Sequence, residues 1–315
     1  MRALDGVGNM GLFARHAAAE CRFDSSDAWV VLSPLERAIR RKVEAAGTPL
    51  RDWDVNIYRG VLTGYNDAFI VSTERREEIL AACRTEAERE RTAALIRPIL
   101  RGRDIRRYGY QWAGLWIIAT FPSLHYDIED YPAVKDYLLS FGIERLEQTG
   151  KEHIVNGERV KARKKTGNKW FETQDSISYW GDFARPKIVW GNLNLRAGFA
   201  LVENDTFVNA PSPMIVPASI FLLAVLNSKL ADFYIRQLGV TRNGGYFEYK
   251  PMFVSQLPIP KDVDKRIIKR IEDGVAQNDE DLIDSLVYEL YGLTDNEISC
   301  IENSMVAAGN HDKHN

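Results

Sequence analysis

The chain has 315 residues, 45% hydrophobic and 27% charged. That is enough for one large or two ordinary domains with true cores, and too apolar for wholesale disorder. Lysine and arginine number 41 against 44 aspartates and glutamates, a formal net charge of −3. A globally basic polyanion coat is excluded, and recognition of nucleic acid would have to rest on local clusters.

From the N-terminus, Gly6, Gly8 and Gly11 form a GxGxxG pattern, but no strand precedes it to deliver a glycine turn to a helix, so a nucleotide site is not expected. The opening residues also lack the apolar core and cleavage site of a secretory signal. Residues 1–49 are read as an N-terminal remnant of a longer chain ending in a linker helix. In that helix Ser33, Pro34 and Glu36 make a capping box, Leu35, Ile39 and Val43 share a face, and Gly47 and Pro49 close it. Residues 55–62 and 68–71 predict two strands around the turn Thr63-Gly64-Tyr65-Asn66. A charged helical stretch over 74–96 leads into a basic loop and a buried strand over 114–121. A short helix with a connector covers 131–148, and further strands are expected over 187–190, 200–202 and 214–216.

From Ile220 the pattern becomes helical, with Leu222, Leu223, Leu226, Leu230 and Phe233 at three- and four-residue steps. The apolar stretch over 215–238 also holds Asn227, Lys229, Asp232 and Arg236, whose charges fit a protein core and not a bilayer. After an irregular segment over 246–260, two amphipathic helices carry Ile267, Ile268, Ile271 and Val275, then Leu282, Ile283, Leu286, Val287 and Leu290. The tail from Val306 is expected to fray. The expected fold class is α+β: a mixed, mostly β recognition domain over 50–217, a helical region over 218–305 and a disordered tail over 306–315.

Catalytic signatures are sparse. No Pro-Pro dipeptide occurs, so the Asp/Asn/Ser-Pro-Pro-aromatic loop of DNA amino-methyltransferases is not in these 315 residues. Neither a glycine-rich S-adenosylmethionine turn nor a GxxxxGKS/T phosphate loop is present. Glu248-Tyr249-Lys250 has the (Asp/Glu)-x-Lys form of some nucleases without a partner acid on an adjacent strand. The cysteines, Cys21, Cys83 and Cys300, form no CxxC pair, and five scattered histidines give no zinc pattern. A reducing, cytoplasmic setting is expected.

Binding signatures are stronger. Arg97, Arg101, Arg103, Arg106 and Arg107 fall within eleven residues, broken by Gly102 and followed by Tyr108 and Tyr110. The guanidinium fork matches phosphate oxygens or the acceptor edge of guanine. The bland alternative is a solvated face paired with the acids of 74–90. A second cluster joins Lys161, Arg163, Lys164, Lys165 and Lys169 to Trp170 and Phe171, and its alternative is an exposed hairpin. The third is Thr241-Arg242-Asn243-Gly244-Gly245-Tyr246, which also reads as a plain turn after a helix. Tryptophans 112, 116, 170, 180 and 190 are expected in the core.

Taken in order, the segments IYRGVLTGYNDAFIV, LIRPILRGRDIRRYGY, KWFETQ, FARPKIVWGNL, LLAVLNSKLADFYI, RNGGYFEYKPMFVSQLPIP and SLVYELYGLTDNEI resemble the TaqI-like C-terminal specificity domain. The likeness runs over residues 32–302. That family is the target-recognition part of adenine-specific DNA methyltransferases and fused restriction-modification enzymes. The resemblance implies a double-stranded DNA partner and S-adenosylmethionine on a catalytic domain or subunit, with no cofactor on this chain. It assigns Thr63, Tyr65 and Asn66 to a DNA-facing loop. Arg101, Arg103, Arg106, Lys164, Lys165 and Arg242 become candidates for phosphate or base contact. The alternatives are an active enzyme whose site goes unrecognised and a non-functional remnant.

Overall fold

The computed structural model describes residues 32–203, 205–239 and 241–309. The glycine pattern at Gly6, Gly8 and Gly11, the cysteine at position 21 and the tail residues 310–315 lie outside them. Helix α1 (Pro34–Ala46) begins at the expected capping box: the Glu36 amide donates to Ser33 Oγ at 3.2 Å, and the Ser33 amide donates to Glu36 Oε2 at 2.7 Å. Ile39 and Val43 are buried, whereas Leu35 stays exposed instead of completing the stripe.

Eight strands build two four-stranded sheets: β1 (Asn56–Arg59), β2 (Ile70–Ser72), β3 (Ile96–Leu100), β4 (Leu115–Ile118), β5 (Lys187–Trp190), β6 (Phe199–Val202), β7 (Phe207–Val208) and β8 (Pro213–Val216). The first sheet runs β6-β5-β8-β1 and is antiparallel throughout. The second runs β7-β3-β4-β2, with β7 parallel to β3. The hairpin expected around residues 63–66 does not form: residues 66–69 make a helical turn, and β1 and β2 enter different sheets. Local polar bonding decides this. The Tyr65 amide donates to Thr63 Oγ1 at 3.1 Å, and Thr63 Oγ1 donates to Asn66 Oδ1 at 2.7 Å, while Ala68 and Phe69 drop into the core.

Side chains alternate across the first sheet, and both faces are buried. Ile188, Trp190, Phe199 and Ile215 face a core shared with the C-terminal helices. Val189, Ala200, Val202, Met214 and Val216 face a second core with Ile99, Leu100 and Ile117 of the other sheet. On the far side of that sheet, Val71, Ile96 and Ile118 pack on a third cluster with Leu95, Val134 and Leu138. The order of layers is therefore C-terminal helices, sheet, sheet, helices. Each fully buried aliphatic side chain contributes about 1.5–3 kcal/mol.

The helical pattern over 220–238 is two helices, α2 (Ile220–Asn227) and α3 (Lys229–Leu238). Ser228 caps the second, its Oγ accepting from the Ala231 amide at 3.1 Å. The apolar period runs unbroken across the junction, which hides the break. Helices α4 (Lys265–Gln277), α5 (Glu280–Leu290) and α6 (Asp295–Gly309) complete the layer. The α6 backbone stays helical through residues 306–309, the start of the expected tail.

The tryptophan expectation divides. Trp190 is wholly buried and Trp116 and Trp170 are partly so, but Trp112 and Trp180 are 40% and 46% exposed. The (Asp/Glu)-x-Lys segment is an ion pair, Lys250 Nζ lying 2.7 Å from Glu248 Oε2. Among the described residues there is no group of three or more His, Cys, Asp or Glu placed to hold a metal ion, and no helix is long and apolar enough to cross a membrane.

Candidate nucleic-acid interface

Register brings the loops together. Val189 pairs with Met214 and Arg59 pairs with Pro213, so the chain leaving β5 and the chain entering β8 share one end of the first sheet. The Asn209 amide donates to Leu100 O at 2.8 Å, which sets the arginine loop after β3 beside residues 209–212. The contact is tight: a Cβ on Gly102 would lie 2.8 Å from Ser212 Oγ, and one on Gly191 would lie 3.3 Å from Gly102 O. Glycine at both positions lets the two loops close on each other.

A cleft of about 920 Å³ opens where these loops meet the 241–250 segment. Its lining includes Arg103, Arg106, Arg242 and Lys250, four cations against the single carboxylate of Glu248. Asn192, Asn194, Asn243 and Tyr246 supply neutral polar groups. Arg242 Nε donates to Glu248 Oε1 at 2.6 Å; together the Lys250 ammonium and the Arg242 guanidinium hold the Glu248 carboxyl below the usual carboxylate range. That ion pair pins the rim, and the cleft keeps an excess of positive charge.

The floor is rigid. The Tyr249 amide donates to Asn192 O at 2.9 Å, and the Trp190 indole donates to Tyr249 O at 2.6 Å. The Tyr249 hydroxyl donates to Asp232 Oδ1, and Arg236 donates to both Asp232 oxygens and to Leu195 O at 2.7 Å. Burial pushes the Tyr249 phenol well above its ordinary value, so it remains a donor. Residues 193–194 and 247–248 pair as a short antiparallel ribbon. Helix α3 thus carries one side of the cleft.

Arg101 does not line this cleft. Its guanidinium grips Asp104 from Nε at 3.0 Å and Nη2 at 2.8 Å, and its amide donates to the same carboxylate at 2.8 Å. It shapes the loop that presents Arg103 and Arg106. The arginine cluster is not paired with the acids of 74–90. Arg97 pairs with Asp205, Arg101 with Asp104, and Arg107 with Glu280 of α5. Glu77 and Glu78 instead pair with arginines of their own helix, Arg76 and Arg75, the second at the i,i+3 spacing that brings helical side chains together.

A second cleft, about 550 Å³, is lined by Tyr65, Arg145, Lys161, Lys164, Lys165 and Gln174. Lys164 and Lys165 are exposed there. Tyr65 is held by Arg145, whose Nη1 donates to its hydroxyl at 3.3 Å and whose guanidinium lies 5.5 Å from its ring. Thr63 is fully buried and Asn66 is exposed, so in this trio Thr63 builds the turn that places the other two. Residues 152–155 and 158–161 pair as a hairpin that ends at Lys161, and the stretch beyond it is anchored. Arg163 is buried and donates to the carbonyls of Leu146, Thr63, Glu172 and Trp170.

The cleft residues that sequence reasoning did not assign to binding include Arg145, Asn192, Asn194 and Lys250. Asn192 and Asn194 stand just after a buried strand, where loops carry function, but nothing in their spacing announces a site.

The chain is similar to known proteins over most of its length. It is 24% identical over 293 residues to the Type II methyltransferase M.BstVI of Geobacillus stearothermophilus, covering 90% of this chain and 47% of that one. It is 22% identical over 285 residues to the Type II methyltransferase M.XhoI of Xanthomonas vasicola, covering 87% of this chain and 47% of that one. The chain thus spans about half the length of these relatives. A solved structure of the Type IIL restriction-modification enzyme MmeI in complex with DNA has the same fold, with a TM-score of 0.55 at 12% identity, covering 84% of this chain and 36% of that one. The family described as the TaqI-like C-terminal specificity domain matches residues 97–259, just over half of the chain, and the chain belongs to that family.

Proposed function

We propose that the chain is a target-recognition module that reads a short sequence in double-stranded DNA for an adenine-N6 methyltransferase of a restriction-modification system. The observation that carries this reading is the convergence of Arg103, Arg106, Arg242 and Lys250 on one cleft from two segments far apart in sequence. Arginine forks fit phosphate oxygens and the O6/N7 edge of guanine, and lysine adds point charge. A rigid floor matters equally, because base reading demands side chains held in place. The relatives are named as Type II methyltransferases, and the MmeI structure contains DNA.

In this reading Tyr65, Asn66, Lys164 and Lys165 extend the contact to a second stretch of backbone, and residues 218–305 support the 50–217 region from behind. Methyl transfer belongs to a separate catalytic domain or partner subunit holding S-adenosylmethionine. The module works where that DNA is, in the cytoplasm. The test is selection of the purified chain on random-sequence duplexes at two salt concentrations. Enrichment of one short motif, with affinity falling steeply as salt rises, is the expected result. Equal, weak binding to all duplexes would refute recognition by this chain.

A further inference from the structure

Charge and hydrogen bonding explain most of the large cleft's lining, but Leu193 offers neither. It lines the cleft and keeps 48% of its surface exposed; Tyr246, in the same lining, keeps 40%. A single exposed apolar side chain is ordinary on a protein surface. Leu193 is set apart by its place. In the short ribbon it stands directly opposite Glu248, and directly opposed residues of an antiparallel pair share a face. The Glu248 carboxylate is held by Arg242 and Lys250, which both line the cleft. Phe247, the next residue, points the other way, its ring 4.2 Å from the Arg236 guanidinium. The ribbon therefore presents a leucine to the cleft, among cations. Its position is fixed by strand pairing and by the Tyr249 amide, which donates to Asn192 O at 2.9 Å.

We infer that Leu193 reads a thymine of the target sequence by packing on its C5-methyl group. This deepens the function proposed above and rests on it. The choice of base follows from the groove code. The major-groove edges of the base pairs carry hydrogen-bond donors and acceptors and one apolar substituent, the thymine methyl. The arginines and Lys250 suit guanine edges and phosphates, and a leucine suits that methyl, because contact takes both apolar surfaces out of water. An exposed leucine can also serve on DNA as a wedge between base steps. A wedge has to project from the protein, whereas Leu193 belongs to a concave lining and sits on a paired strand.

The test begins with the motif selected by the whole chain. In that duplex each thymine is replaced in turn by uracil, which deletes the methyl group and nothing else. The expected result is one position at which the wild type loses about fourfold in affinity, the worth of one buried methyl group. At that position Leu193→Ala should bind the thymine and uracil duplexes equally, with the other positions and the salt slope retained. Leu193→Met keeps an apolar side chain and should preserve the discrimination. The uracil scan needs only the wild type, so the inference stays testable even if Leu193→Ala folds poorly. A motif without an A·T pair, a wild type indifferent to every uracil, or a Leu193→Ala variant that keeps full sensitivity overturns the assignment while leaving DNA recognition standing. No motif from the wild type overturns both.

Discussion

Replacing Arg163 with methionine tests how the second cleft is built. The guanidinium donates four hydrogen bonds, at 2.8 Å to Leu146 O, 2.9 Å to Thr63 O, 2.8 Å to Glu172 O and 2.6 Å to Trp170 O. Two of these acceptors keep another donor in the variant. Thr63 O still accepts from the Gln174 amide at 3.2 Å, and Glu172 O from Gln148 Nε2 at 3.0 Å. Leu146 O and Trp170 O lose theirs, at about 1–3 kcal/mol each. Burial pulls the Arg163 guanidinium down to about 10, so it is still charged at neutral pH and its desolvation offsets part of the gain. The net expectation is a loss of about 2–4 kcal/mol for Arg163→Met. Arg163→Lys should lose a comparable amount, because one ammonium cannot reach four carbonyls in fixed directions. Urea denaturation read by tryptophan fluorescence measures this directly. A loss below about 0.5 kcal/mol, within the range of ordinary surface substitutions, would refute the argument. A weaker DNA salt slope with unchanged stability would make Arg163 a phosphate contact instead.

Three further expectations follow from the same structure. Burial raises the Asp104 carboxyl, but hydrogen bonds and charge from Arg101 outweigh it and leave the group below its ordinary value of 3.8. Its stabilisation is therefore complete above that value and is lost as pH falls through the lower folded-state pKa, and Asp104→Asn should flatten the acid limb of the stability curve; an unchanged limb would contradict this. The Asn227 side chain accepts from the Phe199 amide and donates to its carbonyl, both at 2.9 Å. Since that carbonyl also accepts from the Tyr108 amide, Asn227→Ala leaves mainly one orphaned N–H and should cost about 1–3 kcal/mol by thermal melting. Combined Arg103→Ala and Arg106→Ala should leave the fold intact and lower the slope of log affinity against log salt by up to about 1.8, at about 0.9 per phosphate contact; an unchanged slope would remove both from the interface.

Much of the architecture was legible in local patterns. The capping box at Ser33, the strand candidate at residues 187–190 and the amphipathic stripes of α4 and α5 are short-range signals, and each element stands where its signal does. The ordered run of family segments carried the function class, which composition could not. The break at Ser228 was hidden because the hydrophobic period crosses it undisturbed, while the junction itself is marked only by the Ser228 cap and by Asn227 bonding to β6. The turn at residues 63–66 looked like a hairpin because strand propensity cannot say that its two flanks join different sheets.

The sequence by itself determined which residue types were on hand: the arginine run, the lysine run and the Asn-Gly-Gly turn. Tertiary structure decided how each is used. Of the arginines between 97 and 107, Arg97, Arg101 and Arg107 are held by carboxylates and Arg103 and Arg106 line the cleft. Those carboxylates include Asp205 and Glu280, each more than a hundred residues from its arginine. Arg163, in the middle of a basic stretch, is buried by four carbonyls that converge from three places in the chain. The physical reason is the same throughout. A charge's role is set by what solvates it, and its solvating partners are chosen by the packing of distant segments.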